Sequence, residues 1–176
     1  MKKELRKISI EKRKFFDTEK LSKKILENLF STDEYKKAQN IICYYPLNYE
    51  VSTLPCFEDN TKNFFLPRVK GNELEICPYE KNKIKTGSYN IKEPETKAIN
   101  NFNNIDLIVI PAVAADKNGY RIGYGKGYYD RFLKQHQNQA KKIILVFSEL
   151  LYETIVPEEF DIKSDIVITD KEILRI

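Results

Sequence analysis

Residues 106–131 read DLIVIPAVAADKNGYRIGYGKGYYDR, and the two halves of this stretch together predict the fold. Residues 106–111 form a short, continuous apolar run, which is typical of a strand buried on both faces of a sheet. A proline turn and a glycine-rich loop follow, and they lead into a helix predicted at residues 128–137. A buried strand, a loop and a helix in this order are the repeating unit of α/β proteins.

The rest of the chain continues this alternation. A first helix is predicted at residues 3–16, and a second helix follows with Asp17 as its cap. A short third helix is predicted from Ser31 or Thr32 toward Gln39. Strands are predicted at residues 41–46, 63–67, 73–79, 143–147 and 165–169, the first two ended by proline and the fifth being the last strand. Residues 80–104 are polar and are expected to form a loop with little regular structure.

These elements predict one α/β domain over residues 1–176, with a mainly parallel central sheet and layers of helices. The chain has 176 residues, of which 41% are hydrophobic and 32% charged, and this composition indicates a folded protein with a single core. No apolar run approaches the roughly 20 residues that cross a bilayer, and no signal-peptide pattern follows the basic N-terminus. A cytoplasmic protein is therefore expected.

Charge and cysteine content exclude some classes of site. The net charge of +4 suits an anionic small molecule, but it also suits many proteins that bind nothing charged. Cys43, Cys56 and Cys77 lack C-x-x-C spacing and the chain has a single histidine, so buried, reduced thiols are expected and a zinc site is not. His136 is expected at the surface, which argues against a histidine-based triad.

Glycines in the loop indicate an anion site. Gly119, Gly123, Gly125 and Gly127 are four of the six glycines in the chain. Glycine lets a ligand approach main-chain N–H groups, and such groups at a helix start bind anions. The loop lacks G-K-[ST] and also lacks G-x-G-x-x-G spacing, which excludes a Walker loop and a Rossmann turn. A glycine-rich turn of purely structural use is the alternative.

Charged and aromatic residues in the same segment favour a polyphosphate. Arg121 and Lys126 add positive charges, and Asp130 near the helix start is suited to holding Mg²⁺ shared with phosphates. Tyr128 and Tyr129 offer flat surfaces with hydroxyl ends that suit a ring. The segment therefore predicts a nucleotide-phosphate site in an ATP-using enzyme.

The segment also resembles the P-G-x-x-F-D-x-x-G-x-R-L-G-x-G-x-G-Y-Y-D-R element of the 5-formyltetrahydrofolate cyclo-ligases, also called methenyltetrahydrofolate synthetases. Departures are Ala112 for the usual glycine, Ala115 for the usual aromatic residue and Ile122 for leucine.

Weaker similarities to this family cover almost the whole chain. Residues 2–6 resemble its K-x-x-L-R element, residues 50–53 its E-V-x-T element, residues 66–69 its L-P-R-V element and residues 156–161 its P-x-E-x-D element. Phe160 stands where many members have histidine, and Glu149 stands at or beside a usual glutamine. Each of the four elements has a plainer alternative. In the same order, these are a solvated helix face, a loop carboxylate, a salt-bridging arginine and a turn-capping aspartate.

The resemblance implies a fold, an activity and a set of site residues. The fold would be a three-layer α/β domain like that of sugar-phosphate isomerases and CoA transferases. The activity would be the ATP- and Mg²⁺-dependent conversion of 5-formyltetrahydrofolate into 5,10-methenyltetrahydrofolate, ADP and phosphate. The enzyme would be a monomer that acts on these small molecules, with neither nucleic acid nor membrane as partner.

Residue roles follow from the same resemblance. Lys126 and Arg121 would act at the transferring phosphate, and Asp130 and Asp161 would hold Mg²⁺. ATP contacts are expected from Lys2, Lys3, Glu4, Leu5, Arg6, Arg121, Ile122, Gly123, Tyr124, Gly125, Lys126, Gly127, Tyr128 and Tyr129. Folate contacts are expected from Tyr45, Glu50, Arg68, Tyr124, Gly125, Lys126, Gly127 and Tyr128.

Two other functions fit parts of the pattern. A sugar-phosphate isomerase or CoA-transferase relative would share a phosphate loop but would need a carboxylate base and no ATP. An RNA-binding module would use the basic N-terminus and the 11 Tyr and 10 Phe, although most of these aromatic residues lie in apolar runs. Nucleotide dependence of activity distinguishes the ATP-using enzyme from the isomerase or transferase. A steep salt dependence of RNA affinity would favour the RNA-binding module.

Overall fold

The structure is a computed structural model, and it describes residues 1–136 and 139–176. Its α-helices are α1 (Lys2–Arg13), α2 (Thr18–Ser31), α3 (Asp33–Lys37) and α4 (Tyr128–Gln135). Its strands are β1 (Asn40–Ile42), β2 (Asn63–Lys70), β3 (Glu73–Pro78), β4 (Ile84–Thr86), β5 (Lys92–Pro94), β6 (Leu107–Pro111), β7 (Ala114–Asp116), β8 (Arg121–Ile122), β9 (Lys141–Leu145), β10 (Leu151–Tyr152), β11 (Ile166–Ile168) and β12 (Ile173–Arg175).

A seven-stranded sheet forms the centre of the molecule, in the order β12-β11-β9-β6-β1-β2-β3. The inner neighbours are all parallel, and only the edge pairs β11–β12 and β2–β3 are antiparallel. Successive residues of β6 and β11 are buried, so both faces of the sheet are covered. The predicted α/β class with a mainly parallel central sheet is confirmed.

The predicted helix starts are confirmed by their caps. The Asp17 side chain accepts a hydrogen bond from the Lys20 N–H at the start of α2. Thr32 is the cap of α3, because its hydroxyl accepts the Tyr35 N–H. Both bonds satisfy amides that have no partner within the helix. The predicted end of the last helix at Gln137 lies outside the described residues; α4 itself ends at Gln135.

The prediction that Pro67 ends its strand is wrong, because β2 continues to Lys70. β1 pairs with β2 only as far as Phe65, and beyond this point β2 pairs with β3 alone. Proline has no N–H group to donate, but at Pro67 there is no longer a β1 carbonyl that such a group would bond. The strand can therefore pass through Pro67 without losing a ladder bond on that side.

The predicted loop at residues 80–104 is also wrong in part, because β4 and β5 form an antiparallel hairpin there. Strands of three residues are too short to produce a clear period of two in the sequence. The buried Glu93 fixes the hairpin on the sheet, since its Oε1 accepts the Val69 N–H at 3.0 Å. A further strand that was not predicted, β12, follows β11.

The strand predicted at residues 41–46 is shorter than expected, since β1 ends at Ile42. Residues 43–45 leave the carboxyl end of β1 and lead toward the cavity described below. All three cysteines are buried and free, as predicted. His136, predicted at the surface, is partly exposed and packs on one side against Phe102, with 4.3 Å between ring centroids. In the described residues, no helix has the length and apolar character to span a membrane.

Candidate active site

A cavity of about 490 Å³ opens at the carboxyl ends of the parallel strands. Its walls come from one face of α1, from the ends of β1, β2 and β6, from residues 121–130 and from the β4–β5 hairpin. The volume falls within the range of small-molecule sites. Ligands of α/β sheets bind in this position, because loops at the carboxyl ends of strands are free to vary around a rigid sheet.

The glycine-rich segment divides into a structural turn and a cavity loop. Gly119 lies in the turn between β7 and β8, outside the cavity lining, with φ +88°. A Cβ atom at this position would lie 2.7 Å from the carbonyl oxygen of Ser164. Asp116 closes the same turn, since its Oδ1 accepts the N–H groups of Asn118 and Tyr120. Gly119 is therefore required by the turn and not by an anion.

Gly123, Gly125 and Gly127 line the cavity and lead directly into α4. Gly125 and Gly127 have positive φ values of +93° and +67°, which favour glycine. A Cβ at Gly125 would lie 3.1 Å from the guanidinium of Arg6. No side chain caps the start of α4, so its first amides remain available to an anionic ligand.

Lys126 is the free cation of this loop. It lines the cavity, and its Nζ lies 5.5 Å from the centre of the Tyr89 ring. Within residues 1–136 and 139–176, no carboxylate lies within 4.0 Å of this ammonium group. The charge of Lys126 is therefore not balanced by the protein, as expected for a group that meets a phosphate.

Arg121 differs from Lys126, because it is buried in β8 and paired. Its Nη2 donates to Oδ1 of Asp130 at 3.0 Å, and its Nη1 reaches the carbonyl of Ile162 at 3.4 Å. The same carboxylate oxygen accepts the Ile162 N–H at 3.3 Å. Both Arg121 and Asp130 line the cavity, so the ion pair forms part of its wall.

Only part of the predicted N-terminal element reaches the cavity. Lys2 pairs with Asp161, and the Nε of Arg6 donates to the carbonyl of Gly123 at 2.6 Å. Lys3 and Glu4 are exposed, and Leu5 packs against the core, so none of these three lines the cavity. The reason is helical periodicity, because residues four positions apart share a face and the intervening ones do not.

A buried carboxylate also lines the cavity. Glu50 is 7% exposed; its Oε1 accepts the Tyr124 hydroxyl and its Oε2 accepts the Leu47 N–H, each at 2.6 Å. Burial raises the pKa of Glu50, while these two hydrogen bonds and the charge of Arg13 act in the opposite direction. Tyr45 lines the cavity beside it and stacks on Phe57, with ring centroids 6.3 Å apart.

Arg68 does not reach the cavity, which contradicts its predicted substrate contact. Pro67 and Val69 line the cavity, and Arg68 points to the other face because side chains alternate along a strand. Its guanidinium donates to Glu75 Oε2 at 2.8 Å and to the carbonyls of Pro94 and Thr96. Arg68 thus joins β2 to β3, to the end of β5 and to the segment that follows it.

The two predicted metal ligands lie in the cavity wall, but each contacts a cation. Asp130 pairs with Arg121, and Asp161 pairs with Lys2. In the described part of the chain, no group of three or more His, Cys, Asp and Glu side chains is arranged to hold a metal ion. Mg²⁺ commonly takes one or two carboxylates together with substrate phosphates, so this pair fits an ion shared with a nucleotide.

Several cavity residues were not predicted. The β4–β5 hairpin contributes Tyr89, whose hydroxyl lies 3.4 Å from that of Tyr128. Arg13 does not line the cavity itself, but its guanidinium donates to the hydroxyl of the cavity residue Tyr124. A signal for Arg13 existed, because positions 2, 6, 9 and 13 follow a helical spacing of polar residues. No comparable signal marked Tyr89, which lies in a segment without clear periodicity.

Comparisons with known proteins show which family this chain resembles over most of its length. A model of the 5-formyltetrahydrofolate cyclo-ligase family matches residues 1–170. A probable 5-formyltetrahydrofolate cyclo-ligase of Caenorhabditis elegans is 28% identical over 174 residues, covering 89% of this chain and 84% of that protein. The solved 5,10-methenyltetrahydrofolate synthetase of Aquifex aeolicus is 35% identical, with a TM-score of 0.87 over 99% of this chain and 92% of its own. That of Mycoplasma pneumoniae is 27% identical, with a TM-score of 0.78 over 96% and 98%.

Proposed function

This chain belongs to the 5-formyltetrahydrofolate cyclo-ligase family, and we propose that it uses ATP and Mg²⁺ to cyclise 5-formyltetrahydrofolate to 5,10-methenyltetrahydrofolate. One observation carries the proposal: a single cavity is lined by an uncompensated cation, by the open amides of a helix start and by a buried carboxylate. The cation and the amides suit a polyphosphate, and the carboxylate suits a ring that carries N–H donors.

The chemical difficulty is the formyl group, because a formamide carbon is a poor electrophile and its oxygen a poor leaving group. Transfer of the γ-phosphoryl group to the formyl oxygen removes both difficulties and releases ADP. The N10 amine then attacks the formyl carbon and loses its proton, and the C–O bond breaks to release phosphate. The ring closes as the methenyl product.

Lys126 is the side chain best placed to act at the transferred phosphoryl group. Phosphoryl transfer is catalysed mainly by positioning and charge neutralisation, and a free ammonium beside open amides supplies both. Arg121 would contribute from the cavity wall, where Asp130 holds its guanidinium in a fixed orientation. No nucleophilic side chain is required.

The remaining phosphate contacts come from α1. Lys2 and Arg6 share one face of this helix, and Arg6 also binds the carbonyl of Gly123 in the loop. Both cations therefore flank the loop that would receive the triphosphate. Lys3, Glu4 and Leu5 are not part of the proposed contact, because their side chains lie on other faces of the helix.

For the folate, Glu50 would accept N–H groups of the pterin ring, and Tyr45 and Tyr124 would contribute to the wall around it. Tyr128 also lines the cavity and would contact both substrates. Arg68 has no place in this proposal, since its donors are already used by Glu75 and two carbonyls.

Asp130 and Asp161 would hold Mg²⁺ jointly with the phosphate oxygens. When bound, the ion would neutralise phosphate charge during transfer. Each carboxylate would keep its present partner, Arg121 or Lys2, beside the ion. These two cations would remain next to the phosphates.

A spectroscopic assay tests the proposed reaction. The purified protein is incubated with Mg-ATP and 5-formyltetrahydrofolate, and the near-ultraviolet band of the methenyl product is followed. Product should form only when ATP is present, which also separates this function from an isomerase that needs no nucleotide. Folded protein that binds both substrates and forms no product would refute the proposal.

Three further expectations remain predictions, namely a single domain over residues 1–176, a monomeric state and a cytoplasmic location. Light scattering measures the oligomeric state.

A further inference from the structure

One face of α1 carries polar side chains inward along most of its length. Lys2, Arg6, Ser9 and Arg13 are spaced by four, three and four residues, so they form a single stripe. The stripe is about 16 Å long, because each helical residue adds about 1.5 Å. Lys2 and Arg6 line the cavity, and Arg13 contacts the cavity residue Tyr124.

Arg13 is buried, with only 4% of its surface exposed. Its Nη2 donates to the Tyr124 hydroxyl, and its Cζ lies 5.5 Å from the centre of that ring. Its Nε has no hydrogen-bond partner within residues 1–136 and 139–176. A buried cation with an unused donor is costly to maintain, so its position calls for a function beyond packing.

Tyr124 transmits the effect of Arg13 to Glu50. The phenol oxygen accepts from Arg13, so its one proton is left to donate to Glu50 Oε1, at 2.6 Å. The Leu47 N–H donates to the other carboxylate oxygen. Each oxygen of Glu50 therefore has one fixed donor and keeps a second lone pair for a ligand.

We propose that Arg13 is a positioning residue for the folate substrate: through Tyr124 it orients the Glu50 carboxylate, so that Glu50 accepts N–H groups of the pterin ring. The inference rests on the proposed function, because it assigns Glu50 to the folate. It adds a residue that never touches the substrate and lies on the helix that carries the phosphate-binding cations.

The groups that face Glu50 agree with this role. The other titratable ones are the phenols of Tyr44, Tyr124 and Tyr129, and burial raises the pKa of each, so all three stay neutral. Against the effect of burial, the hydrogen bonds from Tyr124 and Leu47 and then the charge of Arg13 lower the pKa of Glu50. Loss of Arg13 should therefore move ionisation of Glu50 to higher pH.

The test compares Arg13→Met, which removes the charge, with Arg13→Lys, which keeps it. Binding of 5-formyltetrahydrofolate is measured by titration calorimetry from about pH 5 to 8, together with kcat and both KM values. Arg13→Met should weaken folate binding about tenfold at neutral pH, since hydrogen bonds to charged groups typically contribute that much. The acid limb of its pH profile should move to higher pH, while kcat and the KM for ATP change little. Arg13→Lys should restore the wild-type limb.

Other outcomes overturn the proposal. Folate affinity in Arg13→Met within twofold of wild type would do so, and so would an equal loss in kcat and both KM values without a shift of the pH limb. Should Arg13→Met fail to fold, Tyr124→Phe decides, because it keeps the cation, removes the connecting hydroxyl and should weaken folate binding in the same way. Wild-type protein that binds folate but forms no methenyl product would refute only the proposed function. The role of Arg13 would still be tested, because the calorimetric comparison of folate binding by the variants does not depend on turnover.

Discussion

The Nη2 atom of Arg121 lies 3.0 Å from Oδ1 of Asp130, and this ion pair connects the short strand β8 to the first turn of α4. The Arg121 side chain is 5% exposed and that of Asp130 is 24% exposed. A carboxylate proposed for metal binding therefore also balances a buried cation. Removal of Asp130 should affect stability as well as catalysis.

Asp130→Asn should lower the free energy of unfolding by about 2 kcal/mol, because it leaves a buried guanidinium without its counter-charge. Urea unfolding measures the loss. Asp33→Asn is the matched control, since Asp33 forms an exposed pair with Lys37 at 3.8 Å and should cost at most ~0.5 kcal/mol. Equal effects of the two substitutions would show that the Arg121–Asp130 pair has no special structural role.

Lys126→Ala should reduce kcat at saturating ATP by roughly 10²- to 10³-fold, the usual effect of losing one electrostatic contact to a transition state. Its melting temperature should match that of wild type, because the ammonium group has no carboxylate partner among the described residues. Lys134→Ala is the control, since this lysine lies on α4 and contacts the Phe160 ring at 5.0 Å, outside the cavity lining. Wild-type turnover in Lys126→Ala would remove Lys126 from the mechanism.

Two glycine substitutions should separate folding from binding. Gly119→Ala should destabilise the protein by about 1–3 kcal/mol, because φ is +88° and the new Cβ would meet the Ser164 carbonyl. Gly123→Ala should leave stability nearly unchanged, since no atom lies within 4 Å of its new Cβ, but should raise the KM for ATP. Thermal unfolding and initial rates measure both. The reverse pattern would contradict the division of the loop into a turn and a binding segment.

Glu50→Gln should change the pH dependence of stability. Burial raises the pKa of Glu50 in the folded protein, so this group favours folding below its unfolded pKa and loses that contribution as pH rises through the folded value. The variant should therefore gain stability relative to wild type at pH 7, and the gain should disappear near pH 4. Urea unfolding at both values tests this. The stability of the variant relative to wild type is compared at the two pH values. If this difference were less favourable at pH 7 than at pH 4, it would contradict a raised pKa of Glu50.

The ordering of elements was predictable because local chemistry decides it. Continuous apolar runs marked β6, β9 and β11, and the side chains of Asp17 and Thr32 marked helix starts. Gly123, Gly125 and Gly127 marked the loop, since few other reasons cluster glycines with cationic residues. Short elements such as β4, β5 and β12 were missed, because three residues give too little periodicity.

Neighbouring positions show where prediction from sequence stops. Arg68 follows Pro67 and precedes Val69, yet only the outer two line the cavity, because the register of β2 in the sheet selects the face. Arg121 and Lys126 have equal charge in the sequence, but burial and Asp130 distinguish them. Likewise, Arg13 gains its contact with Tyr124 only when α1 packs against a loop 111 residues away.

The sequence by itself determined the α/β class, the glycine-rich loop and the family, because these depend on patterns within short segments. Tertiary structure alone decided which polar side chains share the cavity and which of them are paired. The physical reason is that ion pairs and hydrogen bonds between distant residues depend on register and burial, and no local pattern records either. The segment at residues 106–131 thus predicted where the site would lie, whereas the packed fold selected the residues that face it.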